Sequence, residues 1–452
     1  MRDAFFIPVD GRHLLYAPLA SRLFLMDGQV RKILEDYGEG RQADDGFTQR
    51  IIDYFRNEGL FTAPEQHAAG GGGGEFLPTT AILFPTFDCN LRCVYCYSNG
   101  GDTKTQMDVV VAKKAVDFIV ENALKVESKG FRVHFGGGGE PTLPWDVFTG
   151  IVDYSRESGR MNGLEPSFFL LTNGVLLDQQ VEWIIENLSP ADNVVSFDGP
   201  REIHDAQRPM ACGKGSFDRV CRTLGQFRDS GYDYRLRTTI TASSVGRMLE
   251  IVDFIHERLS PKAVYFEPVF PYPRAVEKRC SPPEPGEFAR QLLKAMDLAE
   301  DYSMRLSYAS CSLDRVSEYF CGAVGDNFVV TPDGFVSSCY EVSSRDDPRS
   351  DTFFIGKYDP AAGGFVFDAE KRRKLSSRSS YNIPKCRECL AKFNCAGGCL
   401  AKVLWTTDDL YDVVDDRCVI TRQVLKSLLL KRFEPGTDGV LKVNASDDQI
   451  IC

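Results

Sequence analysis

The sequence predicts an α/β protein: a partial (β/α)6 barrel, preceded by a small α+β module and followed by a cysteine-rich region. Three observations predict it. Between Thr79 and Glu300, short runs rich in β-branched and aromatic residues alternate six times with helical patterns. Ahead of them, residues 1–65 hold three strand-like runs and then two helical ones, and after them cysteines return at short spacing. The expected divisions are 1–65, a linker at 66–78, the barrel at 79–305, the cysteine-rich domain at 306–425 and a tail at 426–452.

Strands are expected at 4–9, 13–17 and 22–26 and helices at 30–37 and 47–58, the order of a small α+β unit. A run of five glycines at 70–74 has no packing capacity and reads as a flexible linker. No Lys-Ser or Lys-Thr follows it, so it is not a phosphate-binding loop. The barrel strands are expected at 81–87, 132–136, 167–171, 193–197, 235–241 and 264–269. Their helices are expected at 109–125, 145–157, 178–187, 217–229, 245–258 and 285–300.

Chemistry in such barrels sits at the carboxyl ends of the strands. Strand one runs into Cys89-Asn90-Leu91-Arg92-Cys93-Val94-Tyr95-Cys96, three soft ligands on one loop that leave one coordination position of a four-ligand metal site open. Strand two ends in Gly136-Gly137-Gly138-Gly139-Glu140-Pro141, where glycine lets the backbone come close to a ligand. Strand three ends in Thr172-Asn173-Gly174 and strand four in Ser196-Phe197-Asp198-Gly199-Pro200; Asn173 and Asp198 are either ligand contacts or helix caps. Arg208 suits a planar carboxylate, and His204 reads as a surface or turn residue.

The chain has 452 residues and a net charge of -11. An acidic surface argues against nucleic acid or an anionic membrane as partner. No apolar run reaches the length of a membrane span and the first residues lack a signal-peptide core, so a cytoplasmic location is expected. Fifteen cysteines in a reducing compartment point to metal ligation rather than disulfides.

The CxxxCxxC spacing with Tyr95 before its last cysteine, followed by the Gly138-Gly139-Glu140-Pro141 turn, resembles the signature of the radical S-adenosylmethionine (SAM) superfamily. The resemblance implies that Cys89, Cys93 and Cys96 hold a [4Fe-4S] cluster whose fourth iron chelates SAM. It also implies that Tyr95, Gly138, Gly139, Glu140, Asn173, Ser196, Asp198 and Arg208 surround the cofactor. One electron passed to SAM would yield a 5'-deoxyadenosyl radical that takes hydrogen from the substrate, the protein supplying placement and exclusion of water.

Further on, Cys321 and Cys339 flank Gly334, and Cys386-x2-Cys389-x5-Cys395-x3-Cys399 is followed by Cys418. This resembles the seven-cysteine SPASM domain, which implies two auxiliary [4Fe-4S] clusters. By that analogy one takes Cys321, Cys339 and Cys399, with Cys311 as the candidate fourth ligand or, without it, an iron left open to a substrate thiolate, and the other takes Cys386, Cys389, Cys395 and Cys418. Zinc is the physical competitor at such sets. Thr331-Pro332-Asp333-Gly334 reads as a hairpin turn.

The relatives implied are peptide maturases that install thioether or carbon-carbon cross-links in ribosomally made precursor peptides. Residues 1–65 resemble their winged-helix peptide-recognition domain, which binds a leader as an added strand; a structural cap is the alternative. A flavodoxin or ferredoxin would supply electrons. The rival reading is an anaerobic sulfatase maturase making formylglycine, whose basic Asp follows the cysteine equivalent to Cys339. Tyr340 stands there, then Glu341, and these two are the candidate catalytic residues. An iron-sulfur carrier or scaffold is the non-enzyme alternative, and it would have no use for the glycine-rich turn.

Overall fold

The computed structural model describes residues 3–43, 45–61, 74–190 and 193–432. Most of the expected linker, the tail beyond residue 432 and Cys452 lie outside the described residues.

The N-terminal unit is an antiparallel sheet of β1 (Phe5–Val9), β2 (Arg12–Ala17) and β3 (Arg22–Met26), in that order. Asp10 and Gly11, both at positive φ, close the tight first hairpin. Helices Gly28–Gly38 and Gly46–Asn57 follow, capped by the Asp27 and Asp45 carboxylates. The sheet is covered on both sides. Leu15, Ala17, Phe24 and Met26 pack on its own helices, whereas Ile7, Leu14, Tyr16 and Leu23 join the core of the main body.

The six βα units form as the sequence predicts. β4 (Thr80–Leu83), β5 (Gly130–Phe135), β6 (Glu165–Thr172), β7 (Asn193–Ser196), β8 (Arg235–Ile240) and β9 (Ala263–Pro268) lie side by side and parallel. Their helices span Val109–Lys125, Trp145–Asn162, Asp178–Asn187, Phe217–Asp229, Met248–Arg258 and Pro285–Asp301. β4 ends at Leu83 rather than at residue 87, because Pro85 has no N–H to continue the ladder.

The sheet is open and larger than six strands. β10 (Arg305–Tyr308) adds in parallel beyond β9. On the other side β11 (Phe328–Val330) pairs in parallel with β4, and β12 (Phe335–Ser337), β13 (Phe354–Asp359) and β14 (Gly364–Phe367) continue antiparallel, giving eleven strands. Thr331 to Gly334 form the expected turn between β11 and β12, with Gly334 at φ 81°. The cysteine-rich segment thus extends the barrel sheet, and the division expected at 305/306 falls within β10. Helix Asp415–Arg432 packs against Pro285–Asp301. Among the described residues no helix is long and apolar enough to cross a membrane.

Candidate active site

A cavity of about 1120 Å³, counting the part open to solvent, lies at the carboxyl ends of the parallel strands. Its walls include Cys89, Cys93, Cys96, Tyr95, Gly138, Gly139, Glu140, Asn173, Ser196 and Arg208 from the sequence reading. Tyr340 and Glu341 close the far side. Residues from four strand ends and the cysteine-rich region therefore meet in one space.

The cysteine loop is held by its backbone. Arg92 N–H donates to the Pro209 carbonyl (2.7 Å), and Val94 N–H to that of Gln207 (2.9 Å). This pairing brings Arg208 beside the thiols. Arg92 staples the loop by donating to the Cys89 and Gly101 carbonyls at 2.6 and 2.9 Å. Donors also face the sulfurs: Leu91 N–H and the Asn173 side-chain amide to Cys89 Sγ (3.5 and 3.7 Å), and Gly100 N–H to Cys96 Sγ (3.4 Å). Such donors favour thiolate and tune a bound cluster. Without a metal, burial raises Cys89 to about 12 and Cys93 to about 11.

The glycine-rich turn is pressed against this loop. A Cβ on Gly139 would run into the Asp88 carbonyl, and one on Gly137 into the Phe84 ring. Gly138 O accepts from Ser98 Oγ at 2.5 Å. Glu140 is buried and spends its carboxylate internally. It accepts from Thr142 Oγ1 and Thr172 Oγ1 at 2.8 Å each, and from Asn173 N–H at 2.7 Å. It thereby fixes Asn173, whose amide donates to Asn90 Oδ1 at 2.7 Å.

Asp198 is buried behind the wall rather than in it. It accepts from Tyr95 Oη (2.5 Å), Gln207 Nε2 (2.9 Å) and Thr239 N–H (3.0 Å). Tyr95 in turn accepts from Arg208 Nη1 at 2.8 Å, while Arg208 Nε is buried without a partner. Three loop thiols with one ligand position to spare, beside an orphaned guanidinium N–H, fit a [4Fe-4S] cluster with SAM chelated to it. His204 is fully buried, contrary to the surface expectation. Its ring accepts from Asp198 N–H (3.3 Å) and meets Ser216 Oγ (3.0 Å).

The far wall holds side chains the sequence reading missed: Arg237, Glu267, Tyr272 and Lys402. Glu341 accepts from Tyr272 Oη at 2.5 Å and pairs with Lys402 Nζ at 3.3 Å. Burial pushes the Glu341 carboxyl up, but Lys402, Tyr272, Arg349 and Arg237 together bring it below its ordinary range. Burial and Glu341 together raise Tyr272 well above a normal phenol. Arg237 left one signal, a charged residue inside a barrel strand. Lys402 left none, because it acts from a helix with no motif.

Among the described residues no three His, Cys, Asp or Glu side chains converge closely enough to hold a single metal ion. The C-terminal cysteines nevertheless fall into groups. Cys386, Cys389, Cys395 and Cys418 lie within electrostatic reach of one another, as do Cys339 and Cys399. Cys395, Cys399 and Cys418 line a small cavity. Cys311 is buried within electrostatic reach of Cys395 and Cys389. Arg378, 1% exposed, lies between the groups; its field reaches Cys386, Cys395, Cys399 and Cys321.

Residues 83–255 match the family model of the radical SAM superfamily. Over 338 residues the chain is 23% identical to a cysteine-type anaerobic sulfatase-maturating enzyme of Clostridium perfringens, covering 71% of this chain and 89% of that protein. It spans only 42% of Fe-coproporphyrin III synthase of Methanosarcina barkeri, at 29% identity over 184 residues and 40% of this chain. Its fold is similar to native anSMEcpe with bound AdoMet and Cp18Cys peptide (TM-score 0.61, 20% identity, 78% of this chain and 98% of that one). It is also similar to Streptococcus suis SuiB bound to precursor peptide SuiA (TM-score 0.51, 14% identity, 92% and 100%). A radical SAM domain implies SAM and one [4Fe-4S] cluster, in agreement with the thiol loop and the strand-end cavity: residues 83–255 form a radical SAM domain, the domain of an enzyme.

Proposed function

We propose that the protein is a peptide maturase that removes hydrogen from a ribosomally made precursor peptide and leaves an intramolecular thioether or carbon-carbon cross-link. The observation that carries this reading is the single cavity running from the cysteine loop to Tyr340, Glu341 and Lys402. Cys89, Cys93 and Cys96 hold the cluster, Arg208 takes the SAM carboxylate, and Gly138 and Gly139 admit its amino group. Bound there, the pair supplies a 5'-deoxyadenosyl radical. The chain's own part is to orient the peptide and exclude water.

Glu341, kept ionised by Lys402, or Tyr340 beside it receives the proton released as the bond forms. The C-terminal cysteines would hold two auxiliary clusters, which would supply an acceptor for the second electron, and a flavodoxin or ferredoxin would supply the first. Support for a leader site comes from the N-terminal sheet. Among the described residues β3 pairs only with β2, leaving its outer edge open beside a groove lined by Phe24, Met26, Val30, Phe47, Ile51 and Tyr54.

Replacing Cys89, Cys93 and Cys96 together by Ala is expected to abolish SAM cleavage in anaerobically reconstituted protein. Normal cleavage by that variant refutes the assignment. Iron analysis is expected to give about twelve irons per chain for three clusters and about four for one. Mass spectrometry of the treated peptide separates cross-linking, which removes two hydrogens and retains sulfur, from formylglycine formation, which removes the sulfur of Cys. The second reading draws on the likeness to the sulfatase-maturating enzyme, but Tyr340 in place of its Asp weighs against it.

A further inference from the structure

We infer that Arg237 receives a carboxylate of the peptide substrate, from an acidic side chain or the C-terminus. This deepens the maturase reading proposed above and rests on it. Arg237 is the third residue of β8, in register with Ser196 on β7 and Tyr265 on β9. The strand alternates: Leu236, Thr238 and Ile240 are buried, while Arg237 and Thr239 line the cavity.

The other charges of the far wall are matched. Arg349 pairs with Asp347 at 2.7 Å, Arg417 pairs with Glu267, and Lys402 pairs with Glu341 at 3.3 Å. Arg237 is left over. Among the described residues no hydrogen-bond acceptor or carboxylate lies within bonding distance of its guanidinium, although Tyr97, Tyr340, Glu267 and Glu341 surround it. Five N–H donors on a partly buried cation lining a cavity are costly unless a ligand satisfies them.

The ligand's chemistry follows from the geometry and the charge. A planar fork matches a carboxylate in a two-point contact. A phosphate dianion is disfavoured, because Glu267 and Glu341 are close enough to repel a second negative charge. The SAM carboxylate has its own partner. Arg208 sits among Cys93, Tyr95 and Asp198, whereas Arg237 sits among the residues of the far wall. The cavity therefore offers one cation to the cofactor and another to the substrate. Glu341 and Tyr340 then lie next to the anchored residue.

The test uses the full chain, reconstituted anaerobically and loaded with SAM, and titrates short blocked peptides by calorimetry. Acetyl-Ala-Asp-Ala-amide against its Asn counterpart reads a side-chain carboxylate. Acetyl-Ala-Ala-Gly as acid against amide reads a C-terminal one. The acid of at least one pair is expected to bind about 10–100-fold more tightly. Arg237→Gln is expected to bring that ratio near one, and Arg237→Lys, which keeps the charge but not the fork, to leave an intermediate ratio. Equal binding of acid and neutral members overturns the inference and leaves the peptide reading standing. So does a Gln variant that keeps the ratio, or one that loses SAM affinity instead. If no peptide binds, the peptide reading fails and this inference with it.

Discussion

At Glu140 three hydrogen bonds under 3 Å converge on one buried carboxylate, and the consequence is felt one residue away, at Asn173, which is held against Cys89. The residue types of this corner were legible in the sequence, but their division of labour was not. Asp198 stands in the sequence as a contact and in the fold as the support of Tyr95 and Gln207. His204 shows the same limit: nothing in Glu-Ile-His-Asp marks its ring as buried. Its burial has a measurable effect. Desolvation, with a smaller contribution from Arg208, lowers the imidazole to about 2. An unfolded histidine takes up a proton near pH 6.5, so below that pH the unfolded state binds a proton that the folded state refuses. This group therefore costs about 1.4 kcal/mol of stability per pH unit below about 6.5, and nothing above it. Urea unfolding between about pH 7.5 and about pH 5 checks this. His204→Asn is expected to show a shallower decline, and an equal slope refutes the account.

At the scale of elements, helix and strand positions followed the sequence closely because local signals agree with the fold. Asp108 caps its helix through Val110 N–H, Gly163 ends another at φ 68°, and Pro85 stops β4. The turn at 395–399 is different. Ala396, Gly397 and Gly398 all take positive φ there, and Arg378 threads beneath them to donate to the carbonyls of Gly397, Leu410 and Asp412. No motif contains Arg378, yet it ties three loops together and sets a positive charge among the thiols. Arg378→Met leaves three backbone carbonyls without their donor, and is expected to destabilise the folded protein by about 3–5 kcal/mol. Thermal melting and bound iron read this separately. A variant that melts normally but has lost iron assigns Arg378 to the clusters alone, and one that changes neither refutes its role.

Across the whole molecule, one sheet of eleven strands joins regions that the sequence presents as separate. The N-terminal unit is fastened to it at a distance: Tyr16 Oη donates to Asn394 Oδ1 at 2.8 Å, and Lys392 Nζ pairs with Asp3 at 2.6 Å. Both lie beside the cysteine turn, so β3 is connected through β2 to that turn. Asp3→Ala leaves Lys392 buried without its carboxylate, beside the Tyr381 and Phe393 rings. A loss of about 3 kcal/mol is expected, read by urea unfolding; a change below about 0.5 kcal/mol means the docking does not depend on the pair.

By itself the sequence determined the six βα units, the thiol loop and its glycine-rich partner. Periodicity, caps and ligand spacing are local properties, written within a dozen residues. Only the tertiary structure decided that β11 pairs with β4, that Cys311 comes within electrostatic reach of Cys389 and Cys395, and that Arg237 faces the cavity with no bonding partner among the described residues. Those outcomes depend on which distant segments share a sheet and which charges are already matched, and pairing across hundreds of residues leaves no mark on any one stretch of chain.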